Sequence, residues 1–313
     1  MDVILQIGAH RTATTSFQMY LRQHNAELGE MGVGFWGPLR LRKGMFHGII
    51  PAPELGIGPL DFARAQGRLG LQMARAHHRG LKQIVVSDEN MLGIMRRNFT
   101  AQQLYPAAGE RIARYVAAFG GAVGAIHLTI RCLSSYWPSA FSHCIPRGAQ
   151  VPSMSRLSAL AQSRRSWRDV IMDIAAAAPN LPLFVSTFEQ HAARPHRILA
   201  YLLGEIAPIP QAPIWRNQRP SLQDLLQLPL QELEQAQLLS QTHRDRWEPF
   251  TQAQSAALQE TYADDLFWLR SGADGLAHLL EDPKSTQMGY PTPLHFENKG
   301  QTHDQRHRLA RPG

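Results

Sequence analysis

The stretch Gly8-Ala9-His10-Arg11-Thr12-Ala13-Thr14-Thr15-Ser16 gathers residue types that together hold an anion. It follows the apolar run Val3-Ile4-Leu5-Gln6-Ile7 and opens an amphipathic pattern that carries Phe17, Tyr20 and Leu21. Small residues let the backbone turn tightly, so that successive N–H groups and a helix N-terminus face one point, an arrangement suited to a phosphate. Arg11 adds fixed positive charge, and the hydroxyls of Thr14, Thr15 and Ser16 add donors. His10 stands inside the loop, as a contact for the anion or as a donor to the loop itself. The spacing departs from a Walker A loop. Ala13-Thr14-Thr15 stands where Gly-Lys-Ser/Thr belongs, so the lysine that bridges β- and γ-phosphates is missing. A hydroxyl-capped helix start with no ligand is the plainer alternative.

A second candidate lies further along. Ile126-His127-Leu128-Thr129-Ile130-Arg131 reads as a strand that ends on an arginine, and Ser139 follows eight residues later in the next helix. An arginine at the carboxyl edge of a parallel sheet and a helical serine can grip one phosphate together. Taken singly, Arg131 is equally a surface ion-pair partner and Ser139 a routine helix hydroxyl.

The two motifs resemble those of the sulfotransferase family, its bacterial branch included. Arg11-Thr12-Ala13-Thr14-Thr15 is similar to the 5′-phosphosulfate loop, (K/R)-(S/T)-G-T-T, with arginine for the commoner lysine and Ala13 for the glycine. Arg131 and Ser139 resemble the 3′-phosphate motif. Phe184-Val185-Ser186-Thr187-Phe188-Glu189 and the Phe250 to Leu269 segment, with Tyr262-Ala263-Asp264-Asp265-Leu266, resemble further family elements, so the likeness spans roughly residues 3–270. It implies a donor, 3′-phosphoadenosine 5′-phosphosulfate, and in-line transfer of a sulfuryl group to a hydroxyl or amine of a small-molecule or carbohydrate acceptor. No metal is implied. Arg11 and the amides of Thr12 to Thr15 would neutralise the 5′-phosphate, and Arg131 with Ser139 would hold the 3′-phosphate. The general base would be Glu89, then Asp88, in Asp88-Glu89-Asn90 after the apolar run Ile84-Val85-Val86-Ser87; His47 is third. An acidic helix start explains Glu89 equally well. The adenine would lie under Trp215-Arg216-Asn217-Gln218-Arg219-Pro220-Ser221, or under Asn298-Lys299-Gly300-Gln301-Thr302-His303. Two alternatives stay open: a P-loop kinase-like phosphotransferase, and a non-catalytic nucleotide-binding relative.

The elements that must place these residues alternate. Strands are expected at Val3–Gly8, Gly32–Trp36, Gln83–Ser87, Ala122–Ile130 and Leu181–Ser186, with helices at Thr14–Leu28, Phe62–His78, Gly109–Phe119 and Arg168–Ala177. That alternation predicts an α/β fold with a central parallel sheet, and the resemblance makes it a three-layer P-loop-like fold. Helical patterns at His196–Leu203, Ser221–Ser240 and Phe250–Ser271 predict a helical C-terminal half without strands. One domain is expected over 1–280, with an acceptor-side helical part from about 190, followed by a polar, frayed tail over 281–313. The Gly- and Pro-rich segment Gly37–Pro59 is expected to be a mobile loop.

Composition sets the outer bounds. Hydrophobic residues at 44% and charged residues at 18% support a buried core. The net charge is +7, and only Lys43, Lys82, Lys284 and Lys299 among the 32 basic residues are lysines. Arginine is the forked donor suited to phosphate and sulfate. The arginines are dispersed rather than striped, which argues against nucleic acid as the partner. Two cysteines, Cys132 and Cys144, are too few for a disulfide framework or a zinc site. His77 and His78 are adjacent and diverge on a helix, so no metal is expected. No apolar run approaches the ~18–20 residues of a membrane span, and Met1-Asp2 leads into Val3 without a basic n-region. These features predict a cytoplasmic protein and leave its oligomeric state open.

Overall fold

Five runs rich in Val, Ile, Leu and Phe pair in parallel as β1 (Asp2–Gln6), β2 (Val33–Trp36), β3 (Gln83–Ser87), β4 (Val123–Ile130) and β5 (Leu183–Thr187). A two-residue strand, β6 (His278–Leu279), extends the sheet beside β5, giving the order β2-β3-β1-β4-β5-β6. The computed structural model describes residues 1–281 apart from 205, 206, 211, 213, 214, 241 and 244. Strand β1 sits between β3 and β4, with Leu5 in register with both Val86 and Ile126. The chain leaves β1 toward β2 on one side and leaves β4 toward β5 on the other. The carboxyl ends of β1 and β4 therefore flank the point where strand order reverses, where a crevice opens in such sheets.

Helices cover both faces: α1 (Thr14–Gln23), α2 (Pro59–His78), α3 (Ala108–Ala118), α4 (Leu133–Cys144), α5 (Trp167–Ala177), α6 (Pro195–Leu203) and α7 (Gln252–Arg270). Successive strand residues point to opposite faces. Ile4, Val85 and Ala125 accordingly join Phe17 and Leu21 of α1 and Leu199 of α6 in one buried cluster. Leu5 and Val86 join a larger one with residues of α2, α3, α4, α5 and α7. Burial on both sides explains why these strands read as unbroken apolar runs.

Several expectations need correction. The helix expected over Thr14–Leu28 breaks at His24, and a short second helix covers Asn25–Glu30. The pattern over Ser221–Ser240 splits into Leu222–Leu226 and Glu232–Ser240 around Pro229, which cannot donate to a continuing helix. The C-terminal half also holds strands: β6, and a ribbon in which Thr242–His243 pairs with Arg246–Trp247. The Gly37–Pro59 segment folds into three short helical turns, the middle one over Leu41–Met45. Among the described residues no helix is long and apolar enough to cross a membrane. Beyond 281 the expected tail, with Asn298 to His303, lies outside the described residues.

Candidate functional site

The loop between β1 and α1 is pinned to β4, because Ile7 N donates to His127 O (2.9 Å) and Ala9 N to Thr129 O (3.0 Å). Thr12 Oγ1 donates to Ala9 O at 2.5 Å and closes the turn. Space beside Gly8 is tight, since a Cβ would lie 2.7 Å from Gln6 Nε2 and push that side chain aside. Arg11 (φ 65°) and Ala13 (φ 63°) both adopt the left-handed conformation that L-residues seldom take. Among the described residues no protein acceptor meets the amides of residues 11–16. A concave set of free N–H groups at a helix N-terminus is an anion cradle.

Arg11 and Arg131 line the same cleft as the loop. Arg11 Nε donates to Ser139 Oγ (3.0 Å) and Nη1 to His143 Nδ1 (3.3 Å). Arg131 Nε donates to Ser135 Oγ (2.9 Å) and Nη1 to the carbonyl of Arg11 (2.9 Å), and its guanidinium lies 4.1 Å from the centre of the Phe188 ring. Ser139, expected beside Arg131, thus holds Arg11 instead and links the two motifs. Among the described residues neither arginine forms an ion pair. Burial, followed by Arg131, lowers Arg11 to about 10; burial lowers Arg131 to about 10 although the nearby Glu189 carboxylate opposes it, with Arg219 and Arg246 adding to the fall. Both stay protonated at neutral pH, and an anion bound between them would offset the cost of burying their charge.

His10, Arg11, the loop from Ala13 to Ser16, Arg131, Ser139 and His143 line a cleft of about 360 Å³, which Thr12, buried beneath the loop, does not reach. The segment after residue 214 closes over it: Arg216 N donates to Ser16 Oγ (3.2 Å), and Asn217 Nδ2 to Thr15 Oγ1 (3.1 Å). Of the two segments expected near the adenine, the one holding Asn217 thus lies against the loop. No protein family, curated protein or solved structure matches the chain.

The three candidate bases differ in what they meet. Glu89 lines the cleft. Its Oε2 accepts from Gln18 Nε2 (3.2 Å) and its Oε1 from Arg42 Nη2 (2.9 Å). Burial pushes the carboxyl up, but its own amide, His10 and Arg42 outweigh that and hold it below the usual glutamate range. Asp88 is buried and taken up: Arg42 grips both its oxygens at 2.6 and 2.9 Å, and Asn90 N donates to Oδ1 (2.9 Å). It anchors Arg42 beside Glu89. His47 is exposed and does not line the cleft. His10 is locked in place, with Tyr105 Oη 2.9 Å from both its amide and Nδ1, and Asn90 Oδ1 3.1 Å from Nε2. Burial lowers its pKa, so the neutral ring accepts at Nδ1 and donates from Nε2.

Sequence reading passed over Arg42, Gln18, Arg246 and His143. His143 had a signal, since it follows Ser139 by four residues and must share its helix face. Arg42 had none, because its partnership with Asp88 spans 46 residues. Among the described residues no group of His, Cys, Asp and Glu is arranged to hold a metal.

Proposed function

We propose that the protein is a sulfotransferase of P-loop-like fold, which moves a sulfuryl group from 3′-phosphoadenosine 5′-phosphosulfate to an acceptor hydroxyl or amine. One observation carries this reading: two partly buried arginines, neither in an ion pair among the described residues, share a cleft at the sheet's switch point with loop amides that meet no acceptor among those residues. Two separate cationic subsites suit a nucleotide with two separate phosphate positions, and the donor's 3′- and 5′-groups supply them.

The division of labour follows from placement. Arg11 and the amides of residues 11–16 neutralise charge at the 5′-phosphate, where it accumulates as the S–O bond breaks. Arg131 binds the 3′-phosphate, and the segment at Asn217 covers the nucleoside. Ser139 orients Arg11. Glu89 takes the acceptor's proton; each of its oxygens accepts one hydrogen bond and retains a lone pair for a second. The acceptor enters between Glu89 and the loop, and holding it in line with the donor supplies most of the rate.

Calorimetry with adenosine 3′,5′-bisphosphate and with ATP tests the proposal. Tighter binding of the bisphosphate is expected. Equal binding, or binding of neither, overturns the reading, and a preference for ATP assigns the cleft to a kinase-like phosphotransferase.

A further inference from the structure

Two hydrogen-bond chains leave α7 and end on a single peptide unit. In the first, Tyr262 Oη donates to Glu189 Oε2 (2.8 Å), and Glu189 Oε1 accepts from the amide of Cys132 (2.9 Å). In the second, Asp265 accepts from Ser166 Oγ (2.6 Å) and from the amides of Trp167 (3.0 Å) and Arg168 (3.2 Å). Trp167 Nε1 then donates to the carbonyl of Arg131 (2.7 Å). Tyr262 and Asp265 are three residues apart and share one helix face.

The carbonyl of Arg131 and the amide of Cys132 belong to the same planar peptide. Strand β4 has ended at Ile130 and α4 begins at Leu133, so neither polar atom has a place in the sheet ladder or inside the helix. Holding both ends of that plane removes its freedom to rotate and fixes the direction in which the Arg131 side chain departs. The guanidinium is then steadied by Ser135 Oγ and the Arg11 carbonyl.

The arrangement is costly for packing alone. Tyr262 is 6% exposed and Asp265 3%, and burial raises the Asp265 carboxyl to about 6 despite its three donors. Ser166 and Asp169 already form a capping box at the start of α5, so the helix does not need a second acid to begin. An apolar pair would fill the same space at lower cost.

We infer that Tyr262 and Asp265 are positioning residues that orient Arg131 through the Arg131–Cys132 peptide and so set selectivity for a ligand's second phosphate, an inference that rests on the function proposed above. Neither side chain lines the cleft. Their effect must therefore pass through Arg131 and be absent from ligands that do not use it.

The test compares adenosine 3′,5′-bisphosphate with adenosine 5′-monophosphate by calorimetry in wild type, Tyr262→Phe and Asp265→Asn, with and without Arg131→Ala. Each single variant should lose about tenfold in affinity for the bisphosphate, the effect of one displaced charge-assisted hydrogen bond, and keep the monophosphate within about twofold. With Arg131→Ala present, neither should lose more. A parallel loss with both ligands, or no loss with either, overturns the inference. Tyr262→Phe removes only a hydroxyl, which keeps the test open if Asp265→Asn folds poorly. Equal binding of the two nucleotides by wild type would instead overturn the proposed function. Positioning is then read without ligand from the ¹⁵Nε–¹Hε NMR signal of Arg131, which its bond to Ser135 protects. Faster exchange in Tyr262→Phe supports the role, and an unchanged signal overturns it.

Discussion

Arg131 donates through Nη1 to the carbonyl of Arg11 at 2.9 Å, so one cation of the site fixes the backbone that carries the other. The forked guanidinium makes this possible. Its Nε is held by Ser135 and its Nη1 by Arg11, while Nη2 meets no protein acceptor among the described residues and can serve a ligand.

A lysine at 131 would keep the charge but could not bridge three partners at once. Arg131→Lys should therefore lower bisphosphate affinity by about tenfold, and Arg131→Ala by about a hundredfold, in calorimetric titrations at fixed salt. An affinity equal to wild type in Arg131→Ala removes the residue from the site.

Ala13 occupies a left-handed position with φ 63° and ψ 19°, where glycine carries no penalty. For an L-residue this conformation costs about 1–2 kcal/mol, part of which glycine gives back through the greater freedom of its unfolded chain. Ala13→Gly should thus stabilise the protein by about 0.5–1 kcal/mol, seen as a higher urea midpoint with an unchanged slope. Bisphosphate affinity should hold, because the amides keep their direction. A lower midpoint would show that Ala13 makes packing contacts worth more than the strain.

How much of this was legible in the sequence depends on the range of each interaction. The five long strands were readable because burial on both faces leaves unbroken apolar runs such as Ile84-Val85-Val86. The two-residue β6 was not, since it exists only through its pairing with β5. The loop from Gly8 to Ser16 announced itself, because its amides, hydroxyls and arginine are consecutive. Ser139 was found by spacing, yet its partner is Arg11, 128 residues away, a choice that tertiary packing alone makes. Asp88 and Glu89 are equivalent as neighbours in sequence; Arg42, arriving from the Gly37–Pro59 segment, is what separates them.

Tyr105 shows how the loop is held from below. Its hydroxyl accepts from the His10 amide (2.9 Å) and from Tyr136 Oη (3.3 Å), and donates to His10 Nδ1 (2.9 Å). Phenylalanine would fill the same space and leave both His10 groups without a partner. An unsatisfied buried polar group costs about 1–3 kcal/mol, so Tyr105→Phe should lose about 2 kcal/mol of stability in urea unfolding. The neutral His10 ring depends on the same bond, and bisphosphate affinity should fall with it as the loop loosens. Unchanged stability would mean that water replaces the hydroxyl at no cost.

The pH dependence of transfer follows from which group is the base. Glu89 acts as the carboxylate, and its pKa lies below the ordinary glutamate value because its amide, His10 and Arg42 outweigh burial. As pH falls the base is lost only on protonation, so a lowered pKa carries activity further into acid. The acid limb of kcat/KM should then lie below the usual glutamate pKa of about 4.3. His143, kept to about 4 chiefly by burial and then by Arg11, places no limb near the ordinary histidine value of about 6.5, and burial moves His10 in the same direction. Glu89→Gln should leave bisphosphate affinity intact and lower turnover by about 10²–10⁴-fold. A limb near 6.5 that persists in Glu89→Gln, with turnover within a few-fold of wild type, would move the proton to a histidine in the cleft and remove Glu89 from the chemistry.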